Sequence, residues 1–195
     1  MGWIVPGKRE APVDLVGHDW GAAITYVTCA RVPHLVRRAV TLALPHPWTF
    51  LRAQLRPAQL RASWYIYLFQ LPGAGWLTPR LIDRLWKRWS PAFGLGDDVR
   101  ASLHACLAES MPGPLGYYRA ILRPTLRDLR ELRAVVPTPL LQLHGEDDGS
   151  VLVESVAVDD AALFEDRVRE IVAGGHFFHL EDPVGIAARV ERFLA

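Results

Sequence analysis

The stretch Leu15–Ala23, "LVGHDWGAA", decides the fold class of this sequence. It ends a short β-branched run, turns on two glycines and leads into helix-forming residues. Residues 17–21 fit the small-x-nucleophile-x-small pattern of a sharp strand-to-helix turn, in which the two backbones pass close together and glycine is needed. The pattern predicts that Asp19 projects from the apex and that the backbone N–H of Trp20 faces a developing oxyanion. The plain alternative is an aspartate that caps the following helix.

The composition excludes several classes of function. The 195 residues are 50% hydrophobic and 22% charged, with a net charge of +1, so nothing favours binding to nucleic acid or to an anionic membrane. No apolar run reaches the length of about 18 residues that a membrane span needs. The opening "MGWIVPGKREAP" lacks a signal-peptide pattern, and we expect a cytoplasmic protein. Cys29 and Cys106 form neither a disulfide framework nor a metal-binding spacing.

The order of the elements predicts an α/β fold with a parallel sheet of about four strands. The predicted strands are Val13–Val16, Val36–Leu44, Pro139–Gly145 and Arg167–Gly175. Helices are predicted over Gly21–Arg31 and, at the C-terminus, over Val184–Leu194. The segment between the second and third strands is rich in Trp, Arg and Leu and shows no clear strand, which predicts a helical insertion over the sheet. The predicted domains are a first core part (residues 1–47), a helical cap (48–134) and a second core part (135–195).

Two more motifs follow predicted strands, at the edge where parallel sheets build their sites. "LHGEDDG", residues 144–149 with the preceding leucine, places Asp148 where a carboxylate can orient a histidine, with Asp147 as the alternative. "GGHFFHLEDP" places His176 directly after two glycines, with His179 as the alternative. The chain order Asp19, Asp148, His176 is that of a nucleophile–acid–histidine triad.

Together these residues resemble the α/β-hydrolase superfamily, and specifically its aspartate-nucleophile branch of epoxide hydrolases and haloalkane dehalogenases. "SWYIYLFQLPG" and "GYYRAILRP" resemble the two tyrosine segments of an epoxide hydrolase cap. The resemblance implies that Tyr65 and Tyr118 contact the epoxide oxygen, with Tyr67 and Tyr117 as the near alternatives. Further residues are assigned to oxyanion or substrate binding, namely Trp20, His18 and Trp64.

The implied chemistry suits a carboxylate nucleophile. A carboxylate is ionised at neutral pH and can attack a saturated carbon, forming an alkyl ester of Asp19. The tyrosines would protonate the leaving oxygen, and His176, oriented by Asp148, would then activate water to release a vicinal diol. The expected substrate is a small apolar epoxide, and no metal or organic cofactor is required. An alkyl halide is the alternative substrate, with indole N–H groups as halide donors; the candidates are Trp20, Trp64, Trp76, Trp86 and Trp89.

The sequence departs from the family in one respect. Its elbow comes at residue 19, whereas the family has several strands and a His-Gly-x-Pro loop before that point. We therefore expect an N-terminally truncated, partial fold, and a further alternative function is a non-catalytic remnant that lacks the oxyanion loop. The edge of the first predicted strand would be exposed, which favours a homo-oligomer through that edge.

Overall fold

The structure, a computed structural model, describes residues 11–158 and 160–195. The first ten residues of the opening stretch, which lacks a signal-peptide pattern, therefore lie outside the described residues. Four parallel strands form one sheet in the order β1-β2-β3-β4. They are β1 (Val13–His18), β2 (Val36–Leu42), β3 (Leu140–Gly145) and β4 (Arg167–Val172). The α/β fold class and the parallel sheet expected from the sequence are confirmed.

Eleven α-helices surround or follow the strands within the described residues. They are α1 (Trp20–Arg31), α2 (Pro47–Ala53), α3 (Pro57–Ala62), α4 (Trp64–Leu68), α5 (Ala74–Trp89), α6 (Asp97–Ser110), α7 (Leu115–Ile121), α8 (Leu126–Glu131), α9 (Val153–Ala157), α10 (Phe178–Glu181) and α11 (Pro183–Leu194). We call the run of helices α2–α8, between β2 and β3, the helical insertion. The domain boundaries at 47/48 and 134/135 stay a prediction. In the described part of the chain, no helix has both the length and the apolar character to cross a bilayer.

Two predicted strands end earlier than the sequence pattern indicated. The second stops at Leu42 because Ala43 adopts a φ of 62°, in the left-handed region that interrupts a ladder. The fourth stops at Val172, before Gly174, whose φ of 112° turns the chain toward His176. Both early ends lie at the C-terminal edge of the sheet, where the chain leaves the ladder to form the predicted site.

Hydrophobic cores cover both faces of the sheet. On one face, α1, α9 and the helical insertion pack together around side chains such as Tyr26, Phe69 and Leu85. On the other face, α10 and α11 cover β2 and β3 through Phe178 and Ile186. Burial on both faces is what holds a parallel sheet in place, and it makes the strand ends rigid supports for the loops that follow them.

The first strand lies at one edge of the described sheet. Among the described residues β1 pairs only with β2, and two of its valines are largely exposed, Val13 by 55% and Val16 by 52%. A strand edge with exposed apolar side chains is a surface prone to pairing.

Candidate active site

Asp19 occupies the sharp turn between β1 and α1. Its φ of 52° and ψ of −117° lie outside the regions that non-glycine residues favour, and such strain persists where the surrounding structure enforces it. The turn requires glycine at position 17, because a Cβ there would lie 2.5 Å from Thr25 Oγ1 and against the carbonyl of Gly21. A Cβ on Gly21 would instead meet open space, so the sequence argument that both glycines are needed is wrong for Gly21.

The carboxylate of Asp19 is available to a ligand. It makes no capping hydrogen bond to α1, which removes the plain alternative of a helix-capping aspartate. About 35% of its side-chain surface remains accessible, and the backbone N–H of the next residue, Trp20, faces it. Burial raises the pKa of Asp19, while the nearby His176 and the Trp20 N–H act to lower it. This N–H therefore contacts the group on which an oxyanion would form.

The second carboxylate and a histidine form a buried pair. Asp148 Oδ2 lies 2.8 Å from His176 Nδ1, and the backbone N–H groups of Ser150 and Val151 donate to Asp148 Oδ1 at 2.7 and 2.9 Å. The opposite ring nitrogen, His176 Nε2, lies 3.7 Å from Asp19 Oδ1. Asp147, the alternative, is exposed. The structure thus brings Asp19, His176 and Asp148 together in line.

Charges around His176 favour its protonated form. Burial opposes that form, but the charge and hydrogen bond of Asp148, together with the charge of Asp19, raise the pKa of His176 to about 9. Burial likewise opposes ionisation of Asp148, yet His176 and the loop N–H groups lower its pKa overall. These charges therefore favour the imidazolium form of His176, whose two ring nitrogens face two carboxylates.

Two other histidines stand behind His176. His18 Nε2 lies 3.0 Å from the His176 backbone carbonyl, and its ring contacts that of His179 with centroids 4.4 Å apart. Burial and the neighbouring His176 lower the pKa of His18 to about 4, and the pKa of His179 falls to about 4 through burial and the nearby His18 and His176. Neither ring lines the cavity beside Asp19. His18, which the sequence assigned to oxyanion or substrate binding, instead contacts the backbone of the loop that carries His176.

A cavity of about 330 Å³ opens beside Asp19. Its polar lining includes Asp19, Tyr65 and Tyr118, and the two phenol rings pack edge to face with centroids 5.9 Å apart. Most of its remaining wall is apolar, and includes Val27, Leu44, Phe50, Leu51, Ile121 and Leu132. A second carboxylate on the wall, that of Asp128, is engaged in a capping box with Thr125. This is the layout of a site for a small apolar ligand with one reactive polar end.

The two tyrosines expected from the sequence face this cavity, each with a partner on its hydroxyl. The Tyr65 hydroxyl lies 2.7 Å from Ser150 Oγ, and the indole N–H of Trp20 hydrogen-bonds to Tyr118. Burial raises the pKa of both phenols, and the charge of Asp19 raises them further. Both hydroxyls are therefore protonated at neutral pH.

The alternative tyrosines, Tyr117 and Tyr67, and the further candidate Trp64 lie elsewhere than Tyr65 and Tyr118. Tyr117 also lines the cavity, but it is 53% exposed and packs on the Trp20 ring at its rim. Tyr67 and Trp64 do not line the cavity and are 37% and 40% exposed. Trp64 was assigned to the site from the sequence, and the structure does not bring it there, because it lies next to Tyr65 on α4 and points to another side of that helix.

No sequence motif indicated the groups that hold Tyr65 in place. Gln59, fully buried on α3, donates to the Ser150 carbonyl at 2.9 Å and accepts from the Leu152 N–H and the Ser155 hydroxyl at 2.9 and 2.8 Å. These bonds tie the start of the helical insertion to the loop that carries Asp148. A buried glutamine within a helix carries no local motif, so only the tertiary contact reveals it.

The end of α5 contacts the catalytic loops from the other side. The carbonyl oxygen of Trp89 accepts from the His176 N–H at 2.7 Å and from the Gly149 N–H at 3.3 Å. Ser90 Oγ accepts from the Phe177 N–H at 2.7 Å. The helical insertion therefore fixes the backbone on both sides of the Asp148–His176 pair.

Comparisons with known proteins agree with this geometry. Residues 7–183 match the family described as alpha/beta hydrolase fold. Human epoxide hydrolase 4 is 30% identical over 160 residues, which cover 74% of this chain and 42% of that protein. Epoxide hydrolase 2 of Caenorhabditis elegans is 27% identical over 196 residues, covering 93% of this chain and 54% of the relative. The chain thus spans about half the length of the curated relatives it matches.

A solved structure extends the likeness to three dimensions. An epoxide hydrolase from Bacillus megaterium, complexed with its naphthyloxy-propane-diol product, superposes with a TM-score of 0.76 at 25% identity. The match covers 95% of this chain and 70% of that one. With the elbow, the acid–histidine pair and the tyrosine-lined cavity in place, these similarities establish that the chain belongs to the α/β hydrolase fold family.

Proposed function

We propose that this chain opens an apolar epoxide to a vicinal diol through an alkyl ester of Asp19. The observation that carries the proposal is that Asp19, Tyr65 and Tyr118 face one apolar cavity while His176 and Asp148 stand behind the carboxylate. The relatives named as epoxide hydrolases support it.

The first step joins Asp19 to a ring carbon. A carboxylate oxygen attacks that carbon, the ring C–O bond breaks with its electron pair on oxygen, and a tyrosine hydroxyl gives that oxygen its proton. Donation is needed because the departing alkoxide is strongly basic. Two phenols held beside the carboxylate in an apolar cavity supply it, and no proton has to be removed from the nucleophile.

The second step hydrolyses the ester. Esterification removes the charge of Asp19, one of the groups that raises the pKa of His176, so the imidazolium becomes a stronger acid once the ester has formed. The proton that His176 then loses replaces the one that the tyrosine gave to the epoxide oxygen. Neutral His176 then takes a proton from water, and hydroxide attacks the ester carbonyl of Asp19. The Trp20 N–H stabilises the resulting oxyanion. Its collapse breaks the ester C–O bond, the leaving diol oxygen takes a proton from His176, and the carboxylic proton left on Asp19 returns to His176.

The alkyl halide alternative is weaker on this geometry. The indole N–H of Trp20, the candidate halide donor nearest to Asp19, already hydrogen-bonds to Tyr118. An indole has a single N–H donor, so a halide would have to displace the phenol. Trp64 does not line the cavity. The phenols therefore favour an oxygen leaving group.

The test is a diol assay joined to mass spectrometry. We expect the chain to convert a terminal aryl or alkyl epoxide to a diol, and the Asp19→Asn variant to lose at least about 10⁴-fold in rate. A peptide that contains Asp19 should carry the mass of the added epoxide when the reaction is quenched with acid. Halide release without diol would favour the dehalogenase alternative, and an unmodified Asp19 peptide with no diol would favour the non-catalytic one.

A further inference from the structure

Ser150 lies where the loop that carries Asp148 contacts the helical insertion. The residue is 2% exposed, and each of its polar atoms has a partner. Its N–H donates to Asp148 Oδ1 at 2.7 Å, and its carbonyl accepts from Gln59 at 2.9 Å and from Ser63 at 3.2 Å. Its hydroxyl lies 2.7 Å from the Tyr65 hydroxyl. Both the core loop and the helical insertion therefore fix the position of this hydroxyl.

The direction of the Ser150–Tyr65 hydrogen bond matters because each hydroxyl has one proton. If Tyr65 donated to Ser150, its proton would be turned away from the cavity and could not reach a substrate. If Ser150 donates, the Tyr65 proton is free for the epoxide oxygen. The same bond then becomes charge-assisted as Tyr65 turns into a phenolate, and such bonds are about twice as strong as neutral ones.

The neighbouring phenol provides a comparison within the site. The indole of Trp20 packs edge to face on the Tyr118 ring, with centroids 5.3 Å apart, and its N–H can only donate, so it leaves the Tyr118 proton free for the substrate. Tyr65 needs an equivalent donor to act in the same way. Ser150 is the group that the structure places on its hydroxyl.

We propose that Ser150 is a positioning residue for ring opening: its hydroxyl donates to Tyr65, directs the Tyr65 proton at the epoxide oxygen and stabilises the phenolate left behind. The inference rests on the proposed function and adds a residue to it. In the step concerned, an Asp19 oxygen forms a bond to the ring carbon while the ring C–O bond breaks with its electron pair on oxygen. The Tyr65 O–H bond breaks, and an O–H bond forms on the former epoxide oxygen. Ser150 keeps its own proton throughout.

The experiment measures the rate of alkyl-enzyme formation in a His176→Gln background, where the Asp19 ester accumulates because it is not hydrolysed. Ser150→Ala is compared with Ser155→Ala, a buried serine nearby whose hydroxyl bonds to Gln59 and not to a tyrosine. Each variant is tested with a terminal alkyl epoxide and with its trifluoromethyl analogue, whose alkoxide is less basic and needs less acid. Thermal unfolding checks that each variant folds, and Ser150→Cys replaces Ser150→Ala if the latter does not.

We expect Ser150→Ala to slow ester formation by roughly 10- to 100-fold with the alkyl epoxide, the effect of one hydrogen bond to a charged group. With the trifluoromethyl epoxide the loss should be less than about threefold. Ser155→Ala should slow ester formation far less than Ser150→Ala, and equally with the two epoxides. Replacing Tyr65 with a fluorinated, more acidic tyrosine should restore much of the rate in the Ser150→Ala variant.

Three results would overturn the inference. One is an unchanged rate with both epoxides. Another is an equal loss with both epoxides and no rescue by the fluorinated tyrosine, which would give Ser150 a purely structural role. The third is the absence of any alkyl-enzyme in the parent with Ser150 intact, which would overturn the proposed function itself and is distinguishable for that reason.

Discussion

The two halves of the site are held in different ways. The sheet half, made of Asp19, Asp148 and His176, stands on loops that leave the ends of strands, and its members contact each other directly at 2.8 and 3.7 Å. The half from the helical insertion, made of Tyr65 and Tyr118, stands on short helices, and each phenol is oriented by a residue of the core, Ser150 or Trp20. The positions of the side chains in the sheet half thus follow from the sheet topology. Those of Tyr65 and Tyr118 depend on contacts between the helical insertion and the core.

Under the proposed function, this difference assigns the two steps of the chemistry to different halves. The sheet half contains the histidine that would hydrolyse the ester, whereas the helical insertion supplies the acids that would open the ring. Substitutions in each half should therefore affect different rate constants. The experiments below test that separation, from the largest expected effect to the smallest.

His176→Gln should have the largest effect that is confined to one step. Without the general base, diol turnover should fall by up to about 10⁴-fold, while formation of the Asp19 ester continues and the alkyl-enzyme accumulates. Mass spectrometry of the intact protein checks this. His179→Gln serves as the control, since that ring contacts His18 and not Asp148, and its loss should leave turnover near the parent value.

The double substitution Tyr65→Phe with Tyr118→Phe should act on the other step. Ester formation should slow by about 10²-fold, because no phenol protonates the alkoxide, while hydrolysis of ester already formed should keep its rate. Rapid-quench measurement of the two steps distinguishes them. A matched pair, Tyr67→Phe with Tyr117→Phe, should affect neither; equal slowing of both steps by the first pair would contradict the division.

The pH dependence should differ between the steps. Ester hydrolysis needs neutral His176, so its rate should rise about tenfold per pH unit below the His176 pKa and level off above it. Since the Asp19 charge contributes to the value of about 9 in the resting protein, the midpoint for the ester should lie below that value. Single-turnover rates across pH give the midpoint, and one above the resting value would contradict the electrostatic argument.

Gln59→Ala should weaken the link between the two halves. The substitution leaves the Ser150 carbonyl and the Leu152 N–H without this partner, which should lower the free energy of unfolding by about 1–3 kcal/mol. Ester formation should slow severalfold through a less well placed Tyr65, with hydrolysis nearly unchanged. Chemical denaturation and the two-step kinetics check this. Gln54→Ala, which removes only a 3.5 Å contact to Ser63, is the control.

The exposed edge of β1 should affect association more than catalysis. We expect the protein to self-associate through this edge, and Val16→Lys to increase the monomer fraction, because a charge on an edge strand disfavours pairing. Light scattering over a range of concentrations measures it. Val99→Lys, a similarly exposed site on α6, should leave association unchanged.

The sheet half was largely accessible to sequence analysis. A turn that demands glycine at position 17, and acid and histidine motifs that each follow a strand, leave local signals in the chain. Parallel topology then brings their strand ends to one edge, which explains why residues more than a hundred positions apart could be placed together. Exposure then distinguished Asp148 from Asp147, because only a buried carboxylate can share a proton with His176 in a dry pair.

The half in the helical insertion was accessible only through resemblance. Trp64 and Tyr65 are neighbours in sequence, yet helical geometry sends one toward solvent and the other into the cavity. Ser150 and Gln59 carry no motif at all, since their roles come from contacts across the boundary between loop and helix. Such contacts depend on how the two parts pack, and the local pattern of residues does not encode that.

The carbonyl of Trp89 limits how this scaffold could be re-engineered. It accepts hydrogen bonds from the backbone N–H groups of both His176 and Gly149, so the helical insertion, which covers the site, also holds these two loops in position. Deleting the helical insertion to obtain a smaller hydrolase would remove this support of the His176 backbone as well as open the cavity to solvent. A chimera with a different helical insertion would need its own hydrogen-bond acceptor in place of the Trp89 carbonyl. Exchanges confined to the segment between β2 and the start of α5 would retain that carbonyl.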